Sequence, residues 1–165
     1  MGRKWPGTPL TAADIAEGRV ATAEWRPEAK YAWSAGESMG RFLEELQEGH
    51  LVGRKCDVDD TVFFPPRSSC PEHFVRTGEF VRLKNTGKVE TYSVSYLDTD
   101  ARRLEEPIYV GVISIDGASE GMGFMHFFGE VEEKDMAIGM RVKAVWKPKK
   151  ERTGSVTDIR YFKPV

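Results

Sequence analysis

Cys56-Asp57-Val58-Asp59 and, after a gap of ten residues, Cys70-Pro71-Glu72-His73 are the stretches on which the fold turns. In each, one potential metal ligand is followed three positions later by another. A turn brings residues i and i+3 onto one side of an ion, and two such turns close a tetrahedral site from opposite sides. That is the sequence form of a zinc ribbon. The ion would tie together two loops that have little core of their own. Cys56, Asp59, Cys70 and His73 are therefore the candidate ligands, with Asp57 and Asp60 competing for the place of Asp59. The alternative is a ribbon that has lost its metal, with both cysteines serving as small buried hydrophobes. The spacing favours a structural ion over a catalytic one, since no neighbouring residue has the character of a general base for bound water.

Around the knuckles, Val52–Lys55 and Thr61–Phe64 read as short strands, and Pro65-Pro66-Arg67 interrupts regular structure. Upstream lies a helix, Ala35–Glu48. Ser34 and Glu37 have the spacing of a capping box, Met39, Phe42, Leu43 and Leu46 form one apolar stripe, and Gly49 supplies the stop. Residues 1–33 read as an irregular arm with one short helix, Thr11–Glu17. The arm carries Trp5, Trp25, Tyr31 and Trp33, which either pack back on their own domain or wrap a partner.

After residue 78 the pattern is all strand: Glu79–Lys84, Lys88–Tyr96, Ile108–Ile115, Met122–Glu130, Arg141–Trp146 and Val156–Phe162. Alternation shows in Met122, Phe124, His126 and Phe128, and again in Val142, Ala144 and Trp146. Five or six short strands in this length predict a small barrel, with Gly121, Gly123 and Gly129 allowing its tight bends. The fold expected is mainly β with an N-terminal helix: arm 1–33, helix 34–49, zinc-ribbon-like domain 50–77 and barrel 78–165.

Composition narrows the function. The chain has 165 residues, with 24 Lys and Arg against 26 Asp and Glu, a net charge of −2. A general nucleic-acid binder needs a basic surplus to neutralise phosphates, so that class is disfavoured. No stretch reaches the length of about 20 apolar residues that a membrane span needs. The N-terminus has a basic start but no apolar core of a signal peptide, and Pro6 stands where a myristoylation signal wants Ser or Thr. Two cysteines are too few for a disulfide framework, which places the expected compartment in the cytoplasm with both thiols reduced or metal-bound.

Gly53-Arg54-Lys55-Cys56, Pro65-Pro66-Arg67 and Cys70-Pro71-x-x-Phe74 closely resemble the family catalogued as domain of unknown function thirty-five. Gly87-Lys88-Val89-Glu90-Thr91-Tyr92, Glu106-Pro107-Ile108 and Ile138-Gly139-Met140-Arg141-Val142 extend the resemblance over residues 31–165. Asp59 and His73 stand where the family usually has cysteines. The resemblance implies a rubredoxin-like zinc ribbon followed by a C-terminal OB-fold. It further implies an accessory, non-catalytic role: docking on a thiolase-fold subunit, in a complex expected to be a heterotetramer, and helping to form its acyl-CoA site. The reacting cysteine and histidines would then belong to the partner.

Within that expectation Arg67 is the first candidate for CoA contact. Two prolines stiffen its loop, and a guanidinium fork suits phosphate; the alternative is that it pairs with Asp59 or Asp60. Lys55 and Lys84 are lesser phosphate candidates, and Phe64 and Phe74 are candidates to line a pantetheine path. The run Lys147–Arg152 reads as a basic hairpin tip. Cys70 and His73 could pair as nucleophile and base, but their spacing fits the ribbon better. His126, on an aromatic strand face, reads as a core histidine. Two rival functions remain at this point: an OB-fold nucleic-acid module, and a stand-alone acyl-CoA carrier.

Overall fold

The computed structural model describes residues 11–21, 23 and 27–165. Trp5, Trp25 and the Met1–Pro6 start lie outside the described residues. The chain divides into two units, Met1–Trp33 and Ser34–Val165.

In the first unit, Thr11 caps a short helix, α1 (Ala12–Ala16). Asp14 accepts from the Thr11 backbone N–H at 2.8 Å, the Thr11 hydroxyl accepts the Asp14 N–H at 3.3 Å, and Gly18 follows with a left-handed φ of 68°. Tyr31 and Trp33 lie with ring centroids 6.4 Å apart.

The second unit begins with α2 (Gly36–Glu48), which ends on left-handed Gly49. Its apolar stripe works as the spacing requires. Phe42 and Leu46 are buried, Leu43 is half-buried, and only Met39 at the N-terminal end is exposed. Each buried side chain of this size is worth roughly 1.5–3 kcal/mol. The expected capping box does not form. The Ser34 hydroxyl accepts from Gly36 N at 3.2 Å, while Glu37 turns to Arg54 and Arg76, at 3.1 and 3.2 Å. Two guanidinium groups outcompete one backbone N–H for that carboxylate.

The ribbon is a three-stranded antiparallel sheet of β1 (Val52–Lys55), β2 (Val62–Phe63) and β3 (Phe80–Arg82), in the order β2-β1-β3. β3 falls within the segment expected to open the barrel, but it pairs Val52 with Arg82 and Arg54 with Phe80 in the ribbon sheet.

The barrel is closed and five-stranded: β4 (Thr86–Leu97), β5 (Arg103–Ile115), β6 (Gly123–Phe128), β7 (Arg141–Trp146) and β8 (Ile159–Pro164), ordered β4-β5-β6-β8-β7 and back to β4. All pairs are antiparallel except β6 with β8. This is the five-stranded Greek-key order of an OB-fold. Closure needs close approach of backbones. A Cβ at Gly111 would lie 2.1 Å from the Thr91 carbonyl, and one at Gly123 would lie 2.4 Å from that of Ile113. The segment Val156–Asp158, expected as strand, is a single 3-10 turn that feeds β8.

One core runs through helix, ribbon and barrel, joining Phe42, Leu46, Leu51, Phe64 and Leu83 to Val89, Ile113, Phe128, Val142, Ile159 and Phe162. The ribbon is also fixed by hydrogen bonds. Val62 N donates to the Ser119 hydroxyl at 2.9 Å, and Ser119 N donates to the Val62 carbonyl at 3.1 Å. No helix among the described residues is long and apolar enough to cross a membrane.

Candidate functional site

The two knuckles repeat one backbone plan. Cys56 N donates to Thr61 O and Asp60 N to Cys56 O; fourteen residues on, Cys70 N donates to Val75 O and Phe74 N to Cys70 O. The fifth residue of each knuckle is left-handed, Asp60 at φ 63° and Phe74 at φ 56°. Neither is glycine, so the conformation is held by its surroundings. In both knuckles the N–H groups two and three residues on lie near enough to the cysteine sulfur to lower its pKa: Val58 and Asp59 at Cys56, Glu72 and His73 at Cys70. Such donors favour the thiolate form that binds metal.

The result brings the candidate ligands together. Cys56 and Cys70 are buried, and the sulfurs of both lie with a His73 nitrogen inside a cluster no wider than 4.8 Å. His73 Nδ1 is 3.3 Å from Cys70 Sγ and 3.7 Å from Cys56 Sγ. Zinc bonded to thiolate and imidazole at tetrahedral angles requires about 3.6 Å between those atoms, so these three residues fit the ion. Asp59 Oδ2 stands 4.0 Å from His73 Nδ1. A tetrahedral edge there would be about 3.4 Å. Asp59 is held at its present place by Thr61, whose N–H and hydroxyl it accepts at 3.0 and 2.8 Å. Asp57 and Asp60 are not in the cluster; Asp60 instead pairs with Lys55 at 2.7 Å. Cys56, Cys70 and His73 would hold the ion, making a cross-link between the knuckles; Asp59 lies beside this cluster and, like Asp57 and Asp60, outside it.

The electrostatics favour a thiolate at Cys70 beside a protonated His73, but not at Cys56. His73 is raised above its ordinary value, chiefly by its hydrogen bond to Cys70. Burial alone would raise Cys70, but the His73 and Glu72 N–H groups and the His73 ring bring it below the usual thiol value. The Val58 N–H pulls Cys56 down, yet burial and its contacts with Cys70 and Asp59 leave it raised.

The five residues considered for CoA contact do not form one pocket. Arg67 is exposed, with its guanidinium 5.6 Å above the Phe63 ring; no carboxylate among the described residues pairs with it, so the Asp59 and Asp60 pairings are not made. Phe74 is 89% exposed at the tip of the second knuckle. Lys55 is half-buried against Asp60, and Lys84 is exposed where β3 leaves the ribbon. Phe64 lines no path. It is 2% exposed, wedged edge-on between Phe42 and Phe124, which makes it a core residue.

A concavity of about 520 Å³ lies on the outer face of β5, β6 and β8. Val110, Met125, Phe127, Val156 and Tyr161 line it, with Lys147 and Arg160 at its edge. His126 forms part of its floor and is occupied structurally. It bonds Val156 O through Nε2 at 3.2 Å and accepts from Phe127 N through Nδ1 at 2.9 Å; burial lowers its basicity. The inward alternation of Phe124, His126 and Phe128 implied that Met125 and Phe127 face out. That was the available signal for this face.

Residues 43–72 match the family described as the ChsH2 rubredoxin-like zinc ribbon domain, and residues 80–147 match the ChsH2 C-terminal OB-fold domain. A DUF35 domain-containing scaffold protein of Methanocaldococcus jannaschii is 32% identical over 118 residues, covering 70% of this chain and 82% of its own. Its counterpart in Methanothermobacter thermautotrophicus is 32% identical over 123 residues, covering 72% and 89%. This chain belongs to the DUF35 family. Two solved structures share the DUF35 fold. One, a DUF35 protein of unknown function from Sulfolobus solfataricus, aligns at TM-score 0.61 and 23% identity over 79% of this chain and 87% of that one. The other is described as the Ltp2-ChsH2(DUF35) aldolase, at TM-score 0.57 and 21% identity over 84% and 98%. In this member two cysteines and one histidine form the cluster, with Asp59 alongside.

Proposed function

We propose that this DUF35 protein is a non-catalytic accessory subunit of a thiolase-type enzyme, docking on the thiolase-fold subunit in a heterotetramer and helping to form its acyl-CoA site. The observation that carries the reading is the use made of its reactive groups. Both thiols are buried and face the knuckle cluster together with His73, and His126 is committed to two backbone bonds. The two thiols, His73 and His126 are therefore engaged in holding the fold, and they are of the types from which a thiolase builds its nucleophile and base. The likeness to a chain described within the Ltp2-ChsH2(DUF35) aldolase, and the scaffold-protein relatives, support an enzyme partner. Arg67, exposed and lying over the Phe63 ring with no carboxylate partner among the described residues, is the leading contact for a CoA phosphate; Lys55, Lys84 and Phe74 are secondary.

The test is purification from the native cell. A stable complex with a thiolase-fold protein, with acyl-CoA turnover only in the complex, is the expected result. A chain that purifies alone and binds no thiolase-fold protein at micromolar concentration overturns the reading. Calorimetric binding of acyl-CoA to the isolated chain would instead identify a stand-alone carrier.

A further inference from the structure

Val110 and Phe127 stand opposite one another on β5 and β6, as do Val112 and Met125. On the outer face of the barrel these pairs form an apolar strip that no other described element covers. Met125 is 68% exposed, Phe127 51%, Val156 45% and Ile108 38%. Large side chains left together in water mark a contact surface. The strip runs past the concavity to Ile108, so a small ligand filling the concavity would leave much of it wet.

Charge indicates the occupant. Arg141, Lys149 and Lys163 on the same barrel have carboxylate partners, Asp116, Glu48 and Glu130. Lys147 and Arg160, at the edge of the strip, have none among the described residues. Lys147 helps to lower the Asp158 carboxyl and Arg160 lies 5.6 Å over the Tyr161 ring, but neither is held in a close ion pair among the described residues. Two such cations beside an apolar strip complement an apolar segment flanked by carboxylates. They are few for a nucleic-acid groove, in a chain whose net charge is −2.

We propose that this β5–β6–β8 face is the surface that docks the enzyme subunit, which presents to it an apolar segment edged by carboxylates. The inference rests on the accessory-subunit reading and adds the site of contact and the partner's chemistry.

The test compares the wild type with Met125→Asp/Phe127→Asp and with Lys147→Glu/Arg160→Glu, using the thiolase-fold protein that co-purifies. Both pairs replace side chains outside the core, and thermal melting and zinc content check each variant. The expected result is a loss of affinity of at least about 30-fold for the first pair and about tenfold for the second, with weaker salt dependence of association in the second. Unchanged affinity in both variants overturns the inference and leaves the accessory reading standing. A wild type that binds no thiolase-fold protein overturns both. Self-association abolished by the first pair, with enzyme binding intact, would assign the face to a second copy and overturn the proposal. Tight, salt-steep binding of single-stranded oligonucleotides lost in the same variants would overturn it in favour of a nucleic acid.

Discussion

Arg54 of β1 donates through Nη1 to the Ser38 hydroxyl of α2 at 2.7 Å, in a site where both residues are buried. The same guanidinium bonds the Gly78 carbonyl at 2.8 Å and Glu37 at 3.1 Å, and lies 4.8 Å from the Phe80 ring centroid. One side chain thus joins the helix to two parts of the ribbon.

Arg54→Ala would leave the Gly78 carbonyl without its guanidinium donor and the Ser38 hydroxyl with the Ser68 hydroxyl alone. We expect a loss of about 2–4 kcal/mol in urea unfolding, against about 1 kcal/mol for Ser38→Ala. Arg54→Lys should recover little, because an ammonium cannot serve three acceptors and a ring from one position. A midpoint within error of wild type for Arg54→Ala would show that the helix is held by its apolar stripe alone.

The knuckles should depend on metal while the barrel does not. Elemental analysis of gently purified protein is expected to find one zinc per chain. Removing the zinc by chelation should raise amide exchange in the knuckles, where a small separate cluster of Cys56, Phe63 and Cys70 packs about the site, and leave the β4–β8 amides protected by the main core that helix, ribbon and barrel share. His73→Ala should abolish zinc retention. Asp59→Cys should raise zinc affinity by about tenfold or more, because a thiolate binds zinc better than a carboxylate already engaged by Thr61. Equal affinity in Asp59→Cys and wild type would mean that the fourth position is not at residue 59.

The ribbon and barrel were legible because their signals are local and strict. Ligands at i and i+3 specify a knuckle, and alternation at 122–128 specifies which side chains enter the core. What was not legible depends on competition between distant groups. Ser34 and Glu37 have the spacing of a capping box, but spacing does not show that Arg54 and Arg76 lie beside Glu37. Phe64, at the end of the expected strand Thr61–Phe64, reads as a candidate for a pantetheine path, yet it completes the core between Phe42 and Phe124. The segment Phe80–Arg82 is strand-like in either sheet, and only its register with Val52–Arg54 assigns it to the ribbon. The pairing partners of Arg67 were equally open, because Asp59 and Asp60 are taken by Thr61 and Lys55.

Asp116 gives a pH dependence with a defined sign. It follows β5 and accepts both Arg141 Nη groups from β7 and the Thr86 hydroxyl from β4, so it ties three adjacent barrel strands. The Arg141 hydrogen bonds outweigh partial burial and, with Thr86, lower its carboxyl from 3.8 to about 2. A carboxylate lowered by folding stabilises the native state above its unfolded value, and that stabilisation is lost as pH falls through the folded value. The window therefore runs from about pH 4 down to about pH 2. Because the site is partly solvated, the contribution at neutral pH should be about 1–2 kcal/mol, less than the full shift would imply. Asp116→Asn should be less stable than wild type by that amount at about pH 7, and the gap should close as pH falls through that window. Arg141→Met should lose a similar amount, and the double variant should lose little more than either, since both remove one interaction. Urea unfolding at stepped pH reads each difference directly. A gap that persists unchanged to the acid end of the window would mean that the Asn change acts through packing and that the ion pair between the strands contributes nothing.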